Sequence, residues 1–343
     1  MKLLVSALEP SANLHLEPLL RYLPGVEICG IFDRRFGATL YEGQEFAVMG
    51  IVDALKKVPL ARRAISQMVE LAKGCDRVLL IDGPGFNIPL ARALKNHYPN
   101  KDIFYYILPK VWAWKKGRIA QVEAITTAQL LIFPFERLFW KQGEYVGNPL
   151  LDEIPSFREA VVAEGPVAFL PGSRAGEITR LMPVFREVAA KIEGAKEIVI
   201  PAFFDDATIA TLYGDLSGFT IVRNTYEALE RARFAFVCSG TATLEAALMG
   251  VPMVLVYKAR PLDYWIGRRV VKLAHVGLAN IIADFAGEAP VHEELLQDEV
   301  NVQRLLESYH HADAAAFLAK SHRLRELLEH GSAERVARRI MRG

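Results

Sequence analysis

The length and composition of the chain allow two hydrophobic cores, because 52% of its 343 residues are hydrophobic, and no apolar run reaches the roughly 18 residues that span a bilayer. Its 41 basic and 40 acidic side chains nearly cancel, which argues against a nucleic-acid-binding protein. Its three cysteines have no CxxC spacing, which argues against a disulfide framework or zinc site and indicates a cytoplasmic protein.

Short apolar runs alternate with segments of helical periodicity along the whole chain. This alternation predicts an α/β protein with parallel sheets, covered on both faces by helices. Turn residues within Gly147–Gly165 separate two such series, so we expect two doubly wound, Rossmann-like domains that face each other across a cleft. The predicted ranges are 1–163 for an acceptor-binding domain, 164–330 for a UDP-sugar-binding domain and 331–343 for a C-terminal helix that crosses back to the first domain. The predicted strands are Leu3–Ser6, Val26–Phe32, Val78–Ile81, Ile103–Ile107, Leu130–Phe133, Val167–Leu170, Glu197–Ile200, Thr220–Val222, Phe234–Val237 and Met253–Val256.

The first turn of interest follows the strand Leu3–Ser6. Ligands of open parallel sheets bind beyond the carboxyl ends of the strands, so Glu9 and Ser11 are candidate substrate ligands. The alternative is that Ser11 or Asn13 only caps the first helix.

Residues 47–63 combine aliphatic side chains with four cations. This composition suits a membrane surface, where apolar groups enter the interface and cations meet anionic headgroups. The alternative is a helix packed on its own domain. The side chains concerned are Met49, Val52, Leu55 and Leu60, with Lys56, Lys57, Arg62 and Arg63.

The run Val78–Ile81 ends in Asp82, and Asn87, which follows five residues later, is a candidate substrate ligand. We expect Asp82 to point into the cleft, where a partly desolvated carboxylate takes a proton from an alcohol during group transfer. The alternative is that Asp82 only accepts hydrogen bonds from the following turn.

Trp112 and Trp114 lie among four cations directly after the strand Ile103–Ile107. In a nearly neutral chain, such a loop favours contact with a sugar or a phosphorylated acceptor over nucleic acid. The alternative for both tryptophans is core packing.

The second half contains two turns of the kind that bind phosphate. The first joins the strand Val167–Leu170 to an incipient helix, where exposed N–H groups and a forked arginine can hold a diphosphate. The second follows the strand Phe234–Val237, and a glutamate one turn into the next helix could accept the hydroxyls of a ribose. Helix capping is the alternative for the second turn, and an ordinary turn for the first. The candidates are Gly172, Ser173, Arg174 and Glu177, then Ser239, Gly240, Thr241 and Glu245. No histidine or acidic cluster has metal-ligand spacing, so we predict no metal.

These motifs, in this order, resemble those of the lipid-A-disaccharide synthase family over nearly the whole chain. The resemblance implies two domains of the glycosyltransferase-B type and an inverting transfer that needs no cofactor. The donor would be UDP-2,3-diacylglucosamine, the acceptor the 6-hydroxyl of 2,3-diacylglucosamine 1-phosphate (lipid X), and the products UDP and the β-1,6-linked disaccharide 1-phosphate of lipid A. The motifs are Leu8-Glu9-Pro10-Ser11, Ala47–Val52, Ile81–Asn87, Val111–Trp114, Phe133–Glu136, Val146–Pro149, Leu170–Arg174, Ser239–Ala242 and Asn280–Ala283.

The resemblance also assigns residues. Asp82 matches the family's essential aspartate, Arg174 its essential arginine, and Asn280 part of the nucleotide side. Leu8 replaces a glycine of the family pattern, and Gly85 stands where a second aspartate is common. The resemblance further implies a monomer or homodimer bound peripherally to the cytoplasmic leaflet of the inner membrane. Competing interpretations are a peptidoglycan glucosaminyltransferase, a UDP-sugar 2-epimerase, or a nucleotide-sugar-binding protein without turnover.

Overall fold

The computed structural model describes residues 1–41, 58–260 and 273–342. The chain divides into two compact units. The first combines Met1–Glu153 with Leu328–Gly343, and the second is Ile154–Leu327. Residues 154–163, expected in the first domain, therefore lie in the second unit.

The first unit contains a six-stranded, entirely parallel sheet in the order β2-β1-β3-β4-β5-β6. Its strands are β1 (Lys2–Ser6), β2 (Glu27–Ile31), β3 (Arg77–Ile81), β4 (Asp102–Tyr106), β5 (Ala128–Leu131) and β6 (Glu144–Tyr145). Its described helices are α1 (Pro10–Arg21), α2 (Val58–Leu71), α3 (Pro84–His97), α4 (Arg118–Ile125), α5 (Pro149–Glu153) and the C-terminal helix, Ser332–Arg342.

Alternate side chains of the central strands enter different cores. Leu4 and Leu80 belong to one buried cluster, whereas Val5 and Leu79 belong to another. Side chains of a strand point alternately to the two faces of its sheet, so a strand buried on both faces reads as a continuous apolar run. This explains why β1 and β3 are readable from the sequence.

The C-terminal helix is anchored in the first unit. Val336 and Ile340 are fully buried in one of its cores. The carboxylate of Asp152 accepts hydrogen bonds from the backbone N–H groups of Gly331 (2.8 Å) and Ala333 (3.0 Å), just where the helix begins.

The second unit contains another six-stranded parallel sheet, in the order β12-β11-β10-β7-β8-β9. The predicted class, α/β with two doubly wound Rossmann-like sheets, is thereby confirmed. Its strands are β7 (Val167–Leu170), β8 (Lys196–Val199), β9 (Thr220–Val222), β10 (Phe234–Cys238), β11 (Met253–Tyr257) and β12 (Glu293–Leu296). Its described helices are α6 (Ala175–Lys191), α7 (Asp206–Tyr213), α8 (Thr225–Arg231), α9 (Thr241–Met249), α10 (Leu278–Ala286), α11 (Val302–His310) and α12 (Ala314–Leu328). The C-terminal helix of the first unit, Ser332–Arg342, is α13.

The structure tests the two predictions about membranes only in part. Residues 47–57 of the expected membrane segment lie outside the described residues. The remainder begins α2, where Arg62 and Arg63 are exposed and Leu60 is half-buried. Among the described helices, none is long and apolar enough to cross a bilayer.

Candidate active site

Strand order brings the predicted turns together in two pairs. β1 lies beside β3 in the first sheet, and β7 lies beside β10 in the second. In both sheets the connections turn in opposite directions at this pair of strands, and ligands of open α/β sheets bind at such switch points. The turn of Glu9 thus lies beside that of Asp82, and the turn of Gly172 beside that of Ser239.

Asp82 has an unusual backbone conformation. Its φ of +50° lies in the left-handed region, and that of Gly83 is also +50°. The backbone N–H of Asp82 donates to the carbonyl of Tyr106 at 3.0 Å, so the sheet pattern continues to this residue before the chain turns. A left-handed residue other than glycine costs free energy, and such residues concentrate at functional sites.

Three side chains hold this turn. The carbonyl oxygen of Asp82 accepts hydrogen bonds from Asn87 Nδ2 (2.7 Å) and from the hydroxyl of Tyr105 (2.9 Å). Asn87 Nδ2 also donates to the carbonyl of Ile81 (3.1 Å), and the Ser6 hydroxyl donates to Asn87 Oδ1 (2.6 Å). Asn87 is fully buried, so a substrate contact would have to displace these bonds. Its position supports a role in fixing Asp82, rather than the substrate contact expected from the sequence.

The surroundings of Asp82 make its carboxyl group a weaker acid than an ordinary aspartate. Burial raises the pKa of this carboxyl group, because desolvation penalises the charge. The charge of Lys110, a hydrogen bond from the Gly83 backbone and the charge of His15 lower the pKa in part. A carboxylate with a raised pKa is a stronger base than an ordinary aspartate.

His15 and Glu153 are a pair that the sequence did not single out. His15 Nδ1 lies 2.5 Å from Glu153 Oε1, and both side chains are nearly buried. The pair joins α1 to α5 within the first unit. Its residues are 138 positions apart, so no local pattern could reveal it.

The turn after β1 is fixed by Asn13. Its Nδ2 donates to the carbonyls of Ala7 (2.9 Å) and Glu9 (3.0 Å), and its Oδ1 accepts from the backbone of Asp33 (2.8 Å). Glu9 is the exposed N-cap residue of α1, but its side chain makes no capping hydrogen bond, and Ser11 is half-buried. Asn13 therefore holds the turn, and the Glu9 side chain lies at the surface beside it.

The two tryptophans have different environments. Trp112 is 7% exposed, packs edge-on against Phe135 at 5.5 Å between ring centroids, and donates its Nε1–H to Glu136 Oε1 at 3.2 Å. This environment supports core packing for Trp112, the alternative to a substrate contact. Trp114 is 44% exposed, with Lys115 Nζ 4.2 Å from its ring centroid.

Glu136, which accepts from Trp112, is also buried. Its Oε2 accepts hydrogen bonds from the backbone N–H groups of Ile132 and Phe133, each at 3.1 Å. Burial raises the pKa of Glu136 to about 7 in spite of these bonds. The residue ties the Trp112 loop to the turn after β5.

In the second unit, Gly172 and Glu177 shape the turn after β7. Gly172 has φ +95°, and a Cβ there would lie 2.8 Å from Glu177 Oε2 and 3.2 Å from Cys238 Sγ. A side chain at this position would therefore be both strained and obstructed. The second distance also shows that the turn directly adjoins the end of β10.

Arg174 stands at the N-terminus of α6. It is highly exposed, and its NH1 group lies 2.8 Å from Oε1 of the largely buried Glu177. This carboxylate raises the pKa of Arg174. Exposed N–H groups at a helix N-terminus beside a guanidinium form a site suited to an anion. Ser173 is exposed in the same turn.

The turn after β10 leads into α9, as the turn after β7 leads into α6. Ser239 is held to the sheet by its N–H, which donates to Val256 at 3.1 Å, while Gly240 and Thr241 are exposed. Gly240 is the N-cap residue and no side chain caps the helix, while the Thr243 hydroxyl donates to the Gly240 carbonyl at 2.7 Å. Glu245 is half-buried and accepts from the hydroxyl of Tyr226 at 3.2 Å.

Asn280 uses its whole side-chain amide within the protein. Its Oδ1 accepts from the backbone of Val291 (2.8 Å) and His292 (3.2 Å), and its Nδ2 donates to the His292 carbonyl (2.9 Å) and to Glu294 Oε1 (2.8 Å). It is fully buried. The geometry supports a role in positioning the N-terminus of α10, with Glu294 as a partner that the sequence did not indicate.

No group of three or more metal-ligating side chains occurs within the ranges 1–41, 58–260 and 273–342.

Comparison with known proteins identifies close relatives. The model of the family described as lipid-A-disaccharide synthetase matches residues 3–335. The lipid-A-disaccharide synthase of Campylobacter jejuni strain RM1221 is 45% identical over 357 residues, covering 98% of this chain and 98% of the relative. That of Helicobacter pylori strain G27 is 43% identical, covering 98% and 96%.

Solved structures resemble the chain in fold alone. The glycosyltransferase SnogD from Streptomyces nogalater aligns with a TM-score of 0.61 at 16% identity, over 100% of this chain and 99% of that one. The UDP-GlcNAc 2-epimerase from Neisseria meningitidis aligns with a TM-score of 0.57 at 10% identity, over 100% and 99%.

Proposed function

The chain belongs to the lipid-A-disaccharide synthetase family, and we propose that its reaction depends on Asp82 in the first unit and Arg174 in the second. It is a glycosyltransferase of lipid A biosynthesis. The donor is UDP-2,3-diacylglucosamine, and the acceptor is lipid X. The acceptor 6-hydroxyl attacks the anomeric carbon, UDP leaves, and the product is the β-1,6-linked disaccharide 1-phosphate.

Asp82 is the proposed general base, and its environment is the observation that carries this assignment. A desolvated carboxylate stands at the switch point of the first sheet, held by Tyr105 and Asn87 in a left-handed conformation. It would accept the proton of the acceptor hydroxyl as the new glycosidic bond forms. The nearby charges of Lys110 and His15 would stabilise its ionised form.

The second unit is proposed to hold the UDP moiety. Support comes from two adjacent helix N-termini, those of α6 and α9, together with the guanidinium of Arg174. These groups carry positive charge before the reaction begins, so they stabilise charge on the leaving diphosphate without the reorganisation that water requires. Ser173, Ser239, Gly240 and Thr241 would approach the phosphates, and Glu245 the ribose.

We further propose that the protein acts at the cytoplasmic leaflet of the inner membrane as a peripheral protein. Both substrates carry acyl chains, and α2 begins with exposed Arg62 and Arg63. Flotation with vesicles containing anionic lipid tests this proposal. Replacement of Leu60 and Leu55 by serine is expected to reduce the floated fraction, and unchanged flotation would contradict the assignment of this segment.

The proposed reaction is tested by UDP release. The purified protein is expected to release UDP from UDP-2,3-diacylglucosamine only when lipid X is present. Release at the same rate without acceptor would indicate a hydrolase. Binding of the donor without release in the presence of lipid X would indicate a binding protein.

A further inference from the structure

Cys29 and Cys75 form a pair of adjacent thiols in the first unit. Their sulfur atoms are 3.1 Å apart, although the residues are 46 positions apart in the chain. Cys29 lies in β2, and Cys75 lies just before β3. Both strands flank β1, where Leu4 pairs with Cys29 on one side and with Val78 on the other. The thiols therefore meet on one face of the sheet, in the cluster that contains Leu4.

The two thiols differ in accessibility. Cys29 is partly exposed, whereas Cys75 is 3% exposed. The Cys75 sulfur also lies 3.3 Å from the carbonyl oxygen of Leu71, an alternative acceptor for its single proton. A reagent in solution would thus reach Cys29 first, and Cys75 would be the nearest group able to react with the product.

The charges around the pair also differ between the two sulfur atoms. The hydrogen bond from Cys75 lowers the pKa of Cys29 to about 7, with a further contribution from the Lys2 ammonium group, while burial opposes the change. The same hydrogen bond and burial raise the pKa of Cys75. Cys29 therefore has the thiolate character that a reactive cysteine needs, and its partner keeps its proton.

We propose that Cys29 and Cys75 are a modification site. A small-molecule disulfide, such as oxidised glutathione, oxidises the two thiols to a reversible intramolecular disulfide. The Cys29 thiolate attacks one sulfur of glutathione disulfide, giving a mixed disulfide and one glutathione thiolate. Cys75 then loses its proton to solvent and attacks the Cys29 sulfur, which releases the second glutathione. Two protein thiols are oxidised and one external disulfide is reduced, so electrons and atoms balance.

The bond would link an edge of the sheet to the end of α2. β2 is the outer strand of the described sheet and pairs with β1 alone. The disulfide would connect it across β1 to the residues after α2, closing a loop that contains the whole helix. Cys29 lies within β2 and Cys75 lies before β3, whereas Asp82 follows the carboxyl end of β3, so this site is separate from the proposed base.

Peptide mapping tests the proposal on the intact protein. After treatment with oxidised glutathione, acid quenching and alkylation, trypsin should release residues 22–34 and 74–77 as one cross-linked species. Dithiothreitol should separate them. Cys238, which is buried in the second unit, serves as an internal control and should remain a free thiol. In Cys75→Ala, Cys29 should instead retain one glutathione, and in Cys29→Ala the Cys75 peptide should stay unmodified.

The pH dependence of alkylation gives a second, independent readout. The alkylation rate of Cys29 should have its midpoint near the pKa of about 7, and Cys75→Ala should move this midpoint upward by removing the hydrogen bond. The wild-type protein decides the proposal even if a variant fails to fold. Stable glutathionylation of Cys29 without the cross-link, or no modification of either thiol, would overturn it.

Discussion

Tyr105 donates a hydrogen bond of 2.9 Å from its hydroxyl to the backbone carbonyl of Asp82. Asp82 directly follows β3, and Tyr105 lies in the neighbouring strand β4, where it pairs with Leu80. The phenol is fully buried, and burial raises its pKa well above the ordinary value, so it remains a donor at every pH of interest. A neutral, rigid donor from the sheet thus helps to hold the proposed base in its left-handed conformation.

The first prediction concerns this bond. Tyr105→Phe is expected to lower kcat by about tenfold and leave KM nearly unchanged, because a loss of about 1 to 1.5 kcal/mol would fall on the geometry of Asp82 rather than on substrate contacts. Tyr106→Phe is the matched control, since the buried hydroxyl of Tyr106 forms a hydrogen bond of 2.8 Å with Ser332 and none with Asp82. Equal kcat values for the two variants would contradict a positioning role for Tyr105.

The second prediction concerns the stability cost of Asp82. Its pKa is raised in the folded protein, so the folded state binds the proton more tightly than the unfolded state. The contribution of this group to stability therefore falls as the pH rises from about 3.9, the ordinary value, through the raised pKa. Asp82→Asn removes a partly buried charge, and asparagine, like aspartate, tolerates the left-handed conformation. The variant should show a higher urea midpoint than wild type at pH 7, with a smaller difference near pH 4. A lower midpoint at pH 7 would contradict this account.

The third prediction concerns Arg174. Arg174→Ala should lower kcat by about 10² to 10³, the range for removing one preorganised donor, and Arg174→Lys should recover only part of this loss because lysine lacks the planar fork. Stability should change little, since the side chain is 79% exposed. Arg180→Lys, in the same helix, is the control and should keep wild-type kinetics. Wild-type activity of Arg174→Lys would show that charge alone suffices.

The fourth prediction separates the two tryptophans. Trp112→Ala should cost about 3 to 5 kcal/mol of unfolding free energy, since it empties a core site and leaves buried Glu136 with one partner fewer. Trp114→Ala should change stability by less than about 0.5 kcal/mol and raise KM for lipid X. Urea unfolding and steady-state kinetics measure both effects. An unchanged KM for Trp114→Ala would remove it from the acceptor site.

Much of the fold was predictable because its strands are buried on both faces. Runs such as Val78–Ile81 therefore stand out from the helical segments around them. β12 does not stand out, because it begins with Glu293 and Glu294, whose carboxylates bond Arg304 and the residues before α10. An edge strand with one solvated side lacks a continuous apolar run.

The site was predictable where a turn carries its own signal. Asp82 ends an apolar strand, and Arg174 follows a Gly-Ser turn, so local spacing reveals both. Tyr105 reaches Asp82, and Ser6 reaches Asn87, only because β4 and β1 flank β3, and strand order cannot be read from one segment. Trp112 and Trp114 differ by two positions and have opposite exposures, which depend on packing against Phe135 and Glu136.

The central claim is that Asp82 takes the proton from the acceptor hydroxyl in disaccharide formation. The most direct test is the turnover number of Asp82→Asn, measured by mass detection of the tetraacyl disaccharide 1-phosphate from UDP-2,3-diacylglucosamine and lipid X. We predict that the wild-type protein forms this product and that the variant forms it about 10² to 10⁴ times more slowly, the usual contribution of a general base. Formation of the product by the variant at the wild-type rate would contradict the claim.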